Sequence, residues 1–296
     1  MPPTFDLQSH STHSDGALPA AEVVARAAAA GVELLALSDH DTTDGVAEAR
    51  QAARSHGIRL TPAAELSAVH GGHEDLHILG YELDAEDPGL VAALKDFRDD
   101  RARRIDAMAD RLRELGFELD PAPLAARRRA GKPIGRPHLA DAVIAHPANA
   151  ERLKQEGING RSDLFPPYLV PGAAAYVARS RPTVAAAIDV IHAAGGIAVW
   201  AHPFWDLDST DETLATLREF AASGLDGVEA FYPPHTEAQT KLLHGAAAEL
   251  HLLTTGSSDF HGPDHEGFNR FRAFELYGLE PNLGPIGSVT AARPSP

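Results

Sequence analysis

The chain contains 296 residues, with no cysteine, 16 histidines and a formal net charge of −16 at pH 7. The lack of cysteine excludes disulfide bonds, thiolate zinc sites and cysteine nucleophiles, and the acidic balance argues against a protein that coats nucleic acid. A metal site in this protein has to be built from imidazole, carboxylate and water, a set of ligands that suits Zn, Mn or Fe better than Ca.

Targeting and membrane signals are absent from the sequence as it stands. No apolar stretch approaches the roughly 18 residues that mark a candidate membrane helix. The first residues also lack the basic-then-apolar pattern of a secretory signal peptide. We therefore expect a cytoplasmic protein that has no membrane partner.

The first part of the chain alternates predicted strands with predicted helices. FDL is a strand, Pro19–Ala30 is a helix with proline in its first turn and Gly31 at its end, and VELLAL is a buried strand. A second helix spans Asp44–Ser55 and ends near Gly57. The next two strands are IRLTPAAEL and LHILGYEL.

The pattern changes from about Pro88 onward. One long helix is predicted up to Gly116, because apolar side chains recur there at helical spacing. Those side chains are Phe97, Ile105, Met108, Leu112 and Leu115. Residues 97–178 are predicted to be helical or irregular, rich in Arg and Pro, and to form an inserted domain between two parts of a barrel, residues 1–96 and 179–296.

Strands and helices alternate again after the insert. The predicted helices are Thr183–Ala194, Glu212–Ser223 and Glu237–Glu249, and the strands between and after them are IAVWA, GVEAFY and HLLTTG. Repeated βα units predict a parallel sheet. About seven such units favour a TIM-like barrel, although their spacing alone leaves the closure of the barrel open.

Ligand-type side chains fall at or near the ends of nearly all predicted strands. They supply five imidazoles and three carboxylates: His10, Asp15, His40, Glu65, His77, His202, Asp259 and His261. The carboxyl ends of barrel strands are where parallel barrels build active sites. Eight ligands suit two or three ions, and a carboxylate such as Glu65 can bridge two of them.

Together these motifs resemble the PHP (polymerase and histidinol phosphatase) family of metal-dependent phosphoesterases. The resemblance is closest to its nucleoside 3′,5′-bisphosphate phosphatases and 5′-to-3′ exonucleases of short RNA. The similar motifs are DLQSHSTHSDG, ALSDHDT, AELS with LHILGY, VWAHP and GSSDFHG. The resemblance covers nearly the whole chain, and it implies an α/β fold, a distorted (β/α)7 TIM-like barrel with a mainly helical insert.

The resemblance also implies two or three divalent ions, with Mn, Zn or Fe favoured and Mg possible. The implied ligand sets are Asp15, His40 and His261 for one ion, Glu65, His77 and His202 for a second, and His10, Glu65 and Asp259 for a third. The family has a histidine in the third set where this chain has Gln8, which makes Gln8 a weak ligand at most. His13 is a candidate to compensate for it, although a loop histidine is more often solvated.

The implied reaction is hydrolysis of a phosphate ester by a hydroxide that the ions activate. The candidate catalytic residues are His202, Asp259 and His235. His235 follows the GVEAFY strand in FYPPHT, where it is a candidate proton donor to the leaving oxygen. An exposed loop histidine without a catalytic role is an equally good interpretation of His235.

The insert carries the candidate groups for gripping substrate phosphate. Between Arg98 and Arg136 the sequence has 11 Arg and Lys against 7 Asp and Glu, which is compatible with an anion site or with a solvated helix face. Arg98 and Arg101 are three residues apart and share a helix face, and GRPH places Arg136 beside His138. Guanidinium groups bind phosphate bidentately, and the resemblance implies that arginines of these two motifs hold a second phosphate of the substrate. Arg101 and Arg136 are favoured, whereas residues 127–129 are expected to be solvated.

Several interpretations of the substrate and of the function stay open at this stage. The aromatic residues Phe204, Trp205, Phe231 and Tyr232 follow strand ends, where they serve either to stack on a base or as lid and core residues. The expected substrate is a small phosphorylated nucleotide or a short oligonucleotide, without a stable nucleic-acid partner. The alternatives are a histidinol-phosphatase-like enzyme, an amidohydrolase-like enzyme, and a degenerate metal-binding domain in which Gln8 marks the loss of activity.

Overall fold

The computed structural model describes residues 3–129, 134–179 and 181–288. The chain divides into two compact units. The barrel unit consists of residues 1–95 and 182–296, and the helical unit consists of residues 96–181. None of the described helices is both long enough and apolar enough to cross a membrane.

A seven-stranded sheet forms the barrel unit, and its strands lie side by side in chain order. The strands are β1 (Phe5–Asp6), β2 (Leu34–Leu37), β3 (Arg59–His70), β4 (His73–Tyr81), β5 (Ile197–Trp200), β6 (Gly227–Phe231) and β7 (Leu253–Gly256). All residues of β2 and β6 are buried, as expected for strands that are covered on both faces.

The sheet is not parallel throughout, and in this respect the sequence-based expectation is wrong. β4 runs antiparallel to both β3 and β5, whereas the other neighbouring pairs are parallel. β3 and β4 form a hairpin that turns at Gly71 and Gly72, whose φ angles of 55° and 95° suit glycine. A hairpin needs no crossover helix, so this pair breaks the βα repeat.

The chain segments that follow the first and last strands bring the two edges of the sheet together. The Leu7 N–H donates to the Gly256 carbonyl at 3.2 Å, and the His10 N–H donates to the Phe260 carbonyl at 2.8 Å. Ser9 and Phe260 form a parallel bridge. The sheet is therefore a nearly closed barrel, which confirms the predicted fold class.

Eleven α-helices are present among the described residues. They are α1 (Ala20–Ala29), α2 (Val46–His56), α3 (Pro88–Glu114), α4 (Pro121–Arg129), α5 (Arg136–Ala145), α6 (Ala150–Gln155), α7 (Arg161–Leu164), α8 (Val184–Ala193), α9 (Pro203–Asp206), α10 (Thr210–Ala222) and α11 (Glu237–Glu249). Hydroxyl caps lie at the start of the later helices: the Thr183, Ser209 and Thr236 side chains accept backbone N–H groups at the first turns of α8, α10 and α11.

The helical unit has an apolar core of its own. Met108 and Leu112 of α3 are fully buried there together with Phe117, Leu139 and Leu164. The Arg152 guanidinium lies over the Phe117 ring, 3.8 Å from its centroid. No strand occurs among the described residues of this unit. Its remaining elements are short helices and a π-helical turn at Phe165–Leu169.

Candidate metal centre

The eight ligand-type residues come from six segments of the barrel unit. His10 and Asp15 lie in the loop after β1, His40 follows β2, Glu65 and His77 lie within β3 and β4, His202 follows β5, and Asp259 and His261 follow β7. All eight converge on one end of the barrel, at the predicted edge. The structure therefore brings together side chains that are up to 251 residues apart in the sequence.

The sequence predicted Glu65 at the end of β3, but Glu65 lies inside this strand. β3 extends beyond the barrel edge because it pairs with β4 in the hairpin, and Glu65 forms a bridge with His40 just after β2. His77 reaches the same edge because β4 is antiparallel, so that its N-terminal half lies at the carboxyl ends of the other strands. The His77 carbonyl accepts the Ala201 N–H at 3.0 Å, which fixes this level of the sheet.

The Glu65 carboxylate is the centre of the arrangement. Its Oε1 lies 3.0 Å from His77 Nδ1 and 3.2 Å from His202 Nε2, and these two nitrogens are 3.4 Å apart. Its Oε2 lies 3.1 Å from His10 Nε2 and 3.5 Å from His40 Nδ1. The Glu65 side chain is fully buried, so each oxygen of one carboxylate faces a different set of imidazoles.

Two further sets complete the cluster. Asp15 carboxylate oxygens lie 3.6 Å from nitrogens of His10, His40 and His261. The His261 Nδ1–H donates to the backbone carbonyl of Asp259 at 2.7 Å, which leaves Nε2 to face Asp15. In the other set, His10 Nε2 lies 3.1 Å from Asp259 Oδ1 as well as 3.1 Å from Glu65 Oε2.

The backbone is strained at the candidate ligands. His202 has a φ angle of 29° and Asp259 has one of 53°, although neither residue is glycine. Asp41, next to His40, has a φ angle of 52°. Left-handed conformations of non-glycine residues are unfavourable and concentrate at functional sites, where the surrounding structure holds them in place. The strain marks this end of the barrel as a site whose side-chain directions matter.

Electrostatics keep the central carboxylates ionised. Burial alone would raise the pKa of Glu65, but the surrounding imidazoles, led by His40 and His77, lower it well below its usual value. Burial likewise opposes ionisation of Asp15, and His40, His261 and His10 outweigh it, so the pKa of Asp15 is also lowered. Both groups are therefore anionic at neutral pH, as ligands of a cation have to be.

The residues present fit divalent metal ions. Buried polar atoms converge here whose close contacts among the described residues lack hydrogen-bond geometry, and they include both His10 nitrogens, His40 Nδ1, Glu65 Oε2 and Asp259 Oδ1. Such atoms are rare in folded proteins unless something binds them. Ligand atoms about 2.1 Å from one ion lie roughly 3.0–3.4 Å apart, and the distances around Glu65 match that spacing. Imidazole and carboxylate donors without thiolate suit Zn, Mn or Fe.

Gln8 is fully buried two residues before His10, and its amide is only partly satisfied. The Ser257 hydroxyl lies 3.3 Å from Gln8 Oε1 and 2.6 Å from Glu229 Oε1, and Gln8 Nε2 has no hydrogen-bond partner among the described residues. The compensation of Gln8 by His13 stays a prediction. The His13 Nε2 lies 3.8 Å from Glu48 Oε2, near the start of α2.

Glu229 lies beneath the cluster as a buried carboxyl, and it was not among the residues predicted from the sequence. Its Oε2 accepts the backbone N–H of His202 at 3.0 Å, and burial raises the pKa of this carboxyl to about 8. The single Ser257 proton can serve only one neighbour. The Ser257 hydroxyl donates to Glu229 Oε1 at the shorter distance, which leaves the Gln8 amide oxygen, at 3.3 Å, weakly satisfied. A charged residue inside the apolar strand GVEAF was the available signal.

Asp39 is a second missed residue, and it fixes the loop that carries His10 and Asp15. Its Oδ1 accepts the Ser11 N–H at 2.7 Å and the Ser14 hydroxyl at 2.6 Å, and its Oδ2 accepts the Ser11 hydroxyl at 2.7 Å. The carboxylate is buried. Hydrogen bonds around ligand loops commonly set the direction of the ligands themselves. The serines of HSTHSD thereby have a role as partners of Asp39.

His235 is buried close to the cluster rather than exposed on a loop. Its Nδ1 lies 3.2 Å from the Ala230 carbonyl, an acceptor, so Nδ1 carries the proton and donates it. Its Nε2 is buried and has no hydrogen-bond partner among the described residues. Burial lowers the pKa of His235 to about 4, so at neutral pH Nε2 is an acceptor.

The predicted phosphate-binding residues lie in the helical unit. Arg98 is exposed and Arg101 half-buried on α3, and Arg136 and His138 lie in the first turn of α5. An Arg136 Nη donates to the Leu169 carbonyl at 3.4 Å, and His138 Nδ1 accepts the Gly135 N–H at 3.0 Å. Their role toward phosphate stays a prediction.

Comparisons with known proteins agree with the site. Residues 6–114 match the PHP domain family. The chain is 35% identical over 264 residues to a 5′-3′ exoribonuclease of Haemophilus influenzae, covering 89% of this chain and 92% of that protein. It is 36% identical over 274 residues to a 3′,5′-nucleoside bisphosphate phosphatase of Chromobacterium violaceum, covering 89% of each chain.

A solved structure shares the fold as well. A Bifidobacterium adolescentis protein, described as a candidate metal-dependent phosphoesterase, superposes with a TM-score of 0.70 at 29% identity, covering 90% of this chain and 91% of that chain. A second solved structure, from Chromobacterium violaceum and described as an amidohydrolase, superposes with a TM-score of 0.70 at 31% identity, covering 91% of each chain. The two relatives with named activities act on nucleotides or RNA, and they favour neither a histidinol-phosphatase-like enzyme, nor an amidohydrolase-like enzyme, nor a degenerate domain. The chain therefore belongs to the PHP family of metal-dependent phosphoesterases.

Proposed function

We propose that the protein hydrolyses phosphate esters of small nucleotides, either nucleoside 3′,5′-bisphosphates or the 5′ ends of short oligonucleotides. The observation that carries this proposal is the buried Glu65 carboxylate, whose two oxygens face two separate sets of imidazoles. A carboxylate shared in this way suits two ions that clamp one phosphate group. The nucleotide substrates of the two relatives support the choice of substrate class.

In this proposal each ligand set holds one divalent ion, of which Mn, Zn or Fe suit the donors. Bound ions lower the pKa of water and neutralise charge on phosphate oxygens. Glu65, His77 and His202 would hold one ion, and Asp15, His40 and His261 would hold another. His10, Glu65 and Asp259 would hold a third ion, and more weakly, because Gln8 replaces an imidazole. The Asp15 side chain is 44% exposed, so the phosphate approaches from that side.

The chain's own acid and base groups have separate tasks. Asp259 and His202 are held in place by the Tyr232 hydroxyl, which donates to Asp259 Oδ2 at 2.9 Å, and by Glu229, which accepts the His202 N–H. His235 acts through Nε2, which accepts a hydrogen bond from a hydroxyl group of water or of the substrate sugar and so positions that hydroxyl. This differs from the proton-donor role that the sequence suggested, because the Nδ1 proton is engaged with the Ala230 carbonyl.

The direct test measures phosphate release with Mn²⁺ and after chelation. The substrates are adenosine 3′,5′-bisphosphate, a 5′-phosphorylated trinucleotide and histidinol phosphate. We expect chelator-sensitive turnover of the nucleotides. Turnover of histidinol phosphate alone would contradict the proposed substrate class, and chelator-resistant turnover would contradict the proposed metal centre.

The second phosphate is assigned to Arg101 and Arg136, with Arg98 and His138 nearby in the sequence. Arg101→Ala and Arg136→Ala are expected to raise the KM for adenosine 3′,5′-bisphosphate about tenfold or more, since charge-assisted bonds to phosphate are strong. The matched control is Arg113→Ala on α3, the helix that also carries Arg101. Arg113 pairs with Asp110 at 2.7 Å on the surface. An unchanged KM in both test variants would contradict this role.

A further inference from the structure

Four aromatic rings form a continuous group beside the candidate metal centre: Trp205, Tyr232, His265 and Phe268, here called the aromatic rim. Phe268 is the hub of the rim. Its ring centroid lies 5.6 Å from that of Trp205, 5.7 Å from that of Tyr232 and 5.4 Å from that of His265, on which it stacks. The Phe268 ring also lies 5.9 Å from the ring of His261.

Of the four aromatic residues that the sequence singled out, Trp205 alone is mostly exposed, and Phe204 is partly buried. Phe231 is fully buried, Tyr232 is 3% exposed, and Phe204 packs edge-on against His235 at 5.6 Å. Trp205 is 58% exposed, more than any other large apolar side chain that the described part of the chain leaves exposed. An exposed indole beside a polar site is typical of a binding surface, because the ring loses little entropy when it is covered.

The rim is built to hold its position. The His261 N–H donates to the Phe268 carbonyl at 2.9 Å, and His265 Nδ1 accepts the Phe268 N–H at 3.0 Å. Trp205 lies in the short helix α9, three residues after His202. A candidate ligand therefore adjoins each partner of the Trp205–Phe268 contact: the Trp205 N–H donates to the His202 carbonyl at 2.8 Å, and the Phe268 ring lies beside that of His261.

We propose that Trp205, supported by Phe268, is the surface on which the nucleobase next to the reacting phosphate stacks. The inference rests on the proposed function and adds a specificity-determining residue to it. Stacking uses the π-face that every base has, so this surface selects for the presence of a base and not for its identity. A base-free ribose 3,5-bisphosphate carries the same phosphates and lacks the stacking partner.

The kinetic test compares these two substrates in the metal-loaded enzyme. Trp205→Ala is expected to raise the KM for adenosine 3′,5′-bisphosphate by about 5- to 100-fold, the range of base–aromatic stacking, and to leave the KM for the base-free bisphosphate unchanged. Trp205→Tyr keeps a ring and is expected to restore most of the loss. The control is Val91→Ala, which removes an exposed apolar side chain, 46% exposed, at the start of α3.

Fluorescence gives a readout that is independent of turnover. The chain has two tryptophans, and Trp200 is fully buried whereas Trp205 is exposed. A methylene-phosphonate analogue of adenosine 3′,5′-bisphosphate, which the enzyme cannot cleave, is expected to quench the emission of the wild type and not that of Trp205→Phe.

The outcomes separate the two claims. Turnover of nucleotides with equal KM values in the wild type and Trp205→Ala would overturn the stacking role and leave the proposed function intact. If the wild type hydrolyses no nucleotide, the proposed function fails, and the fluorescence titration still decides the inference. Lack of quenching of the wild type by saturating analogue would then overturn it.

Discussion

The two sides of Glu65 have similar geometry and different chemistry. On the Oε1 side, His77 and His202 complete a set of three donor atoms 3.0–3.4 Å apart. On the Oε2 side, His10 and Asp259 provide equally short distances of 3.1 Å, but the residue that the family pattern makes an imidazole is Gln8, and its amide oxygen already faces Ser257. Similar spacing therefore does not imply similar affinity, because a neutral amide is a poorer donor than imidazole to Zn or Mn.

The largest effect is expected from Glu65→Gln, which weakens both sides at once. The amide keeps the shape of the side chain and removes the negative charge that both sets share. We expect a loss of more than about 100-fold in phosphate release, because changes to outer partners of metal ligands already cost 10- to 100-fold. Metal content by elemental analysis is expected to fall with the activity. Full metal content in a folded Glu65→Gln protein would show that Glu65 is not the shared ligand.

The next largest effect is expected from His202→Ala, compared with Gln8→Ala. His202→Ala removes one of three donors on the Oε1 side, and we expect loss of one ion and at least tenfold lower activity. Gln8→Ala removes a donor that the account treats as weak, so we expect its metal content to match the wild type. Loss of an ion in Gln8→Ala with none in His202→Ala would reverse the comparison between the two sides.

A smaller gain is expected from Gln8→His, which restores the imidazole on the Oε2 side. We expect this variant to bind its most weakly held ion about tenfold more tightly, as measured by competition with a chelator of known affinity. The control is Gln155→His on the surface of α6, which changes the histidine content away from the ligand sets. Unchanged affinity and rate in Gln8→His would remove Gln8 from the site.

The smallest effect is expected on the free energy of unfolding, and it tests whether the buried Glu229 carboxyl is neutral in the folded protein. Burial raises the pKa of its carboxyl from 4.5 to about 8, so between these values the unfolded chain is ionised while the folded chain stays neutral. The unfolded state then binds fewer protons, and the contribution of Glu229 to stability, complete below pH 4.5, is lost as the pH rises to about 8.

Glu229→Gln replaces the carboxyl with an amide that does not ionise, so the variant does not lose stability in this way as the pH rises. In chelator-treated protein, its free energy of unfolding relative to the wild type is expected to rise between pH 5 and pH 8, by on the order of a few kcal/mol. Denaturant unfolding across that pH range measures the difference. Glu237→Gln, an exposed carboxylate on α11, serves as the control. Parallel curves for Glu229→Gln and the wild type would contradict a neutral buried Glu229.

Local patterns predicted most of the elements and the set of ligand-type residues. The helix expected at Pro19–Ala30 spans Ala20–Ala29, because proline and glycine mark its ends directly in the sequence. The direction of β4 was missed, since a strand's own residues carry little information about which way its neighbours run. The antiparallel hairpin nevertheless leaves His77 at the predicted edge.

The groups that support the ligands were beyond prediction from local patterns. Ser257 contacts Gln8 across 249 residues of sequence, and Asp39 holds Ser11 across 28. The residues around Ser257 and around Asp39 carry no local signal that identifies these distant contacts. Phe268 was missed for the same reason, since it lies in an irregular loop and meets Trp205 only in the folded barrel.

The most direct test of the central claim is the location of bound ions by anomalous diffraction from crystals grown with Mn²⁺. We expect ions within about 2.0–2.6 Å of both Glu65 oxygens, with lower occupancy on the Oε2 side that Gln8 flanks. Ions that avoid Glu65, or equal and full occupancy on both sides in the wild type, would contradict the comparison on which the account depends.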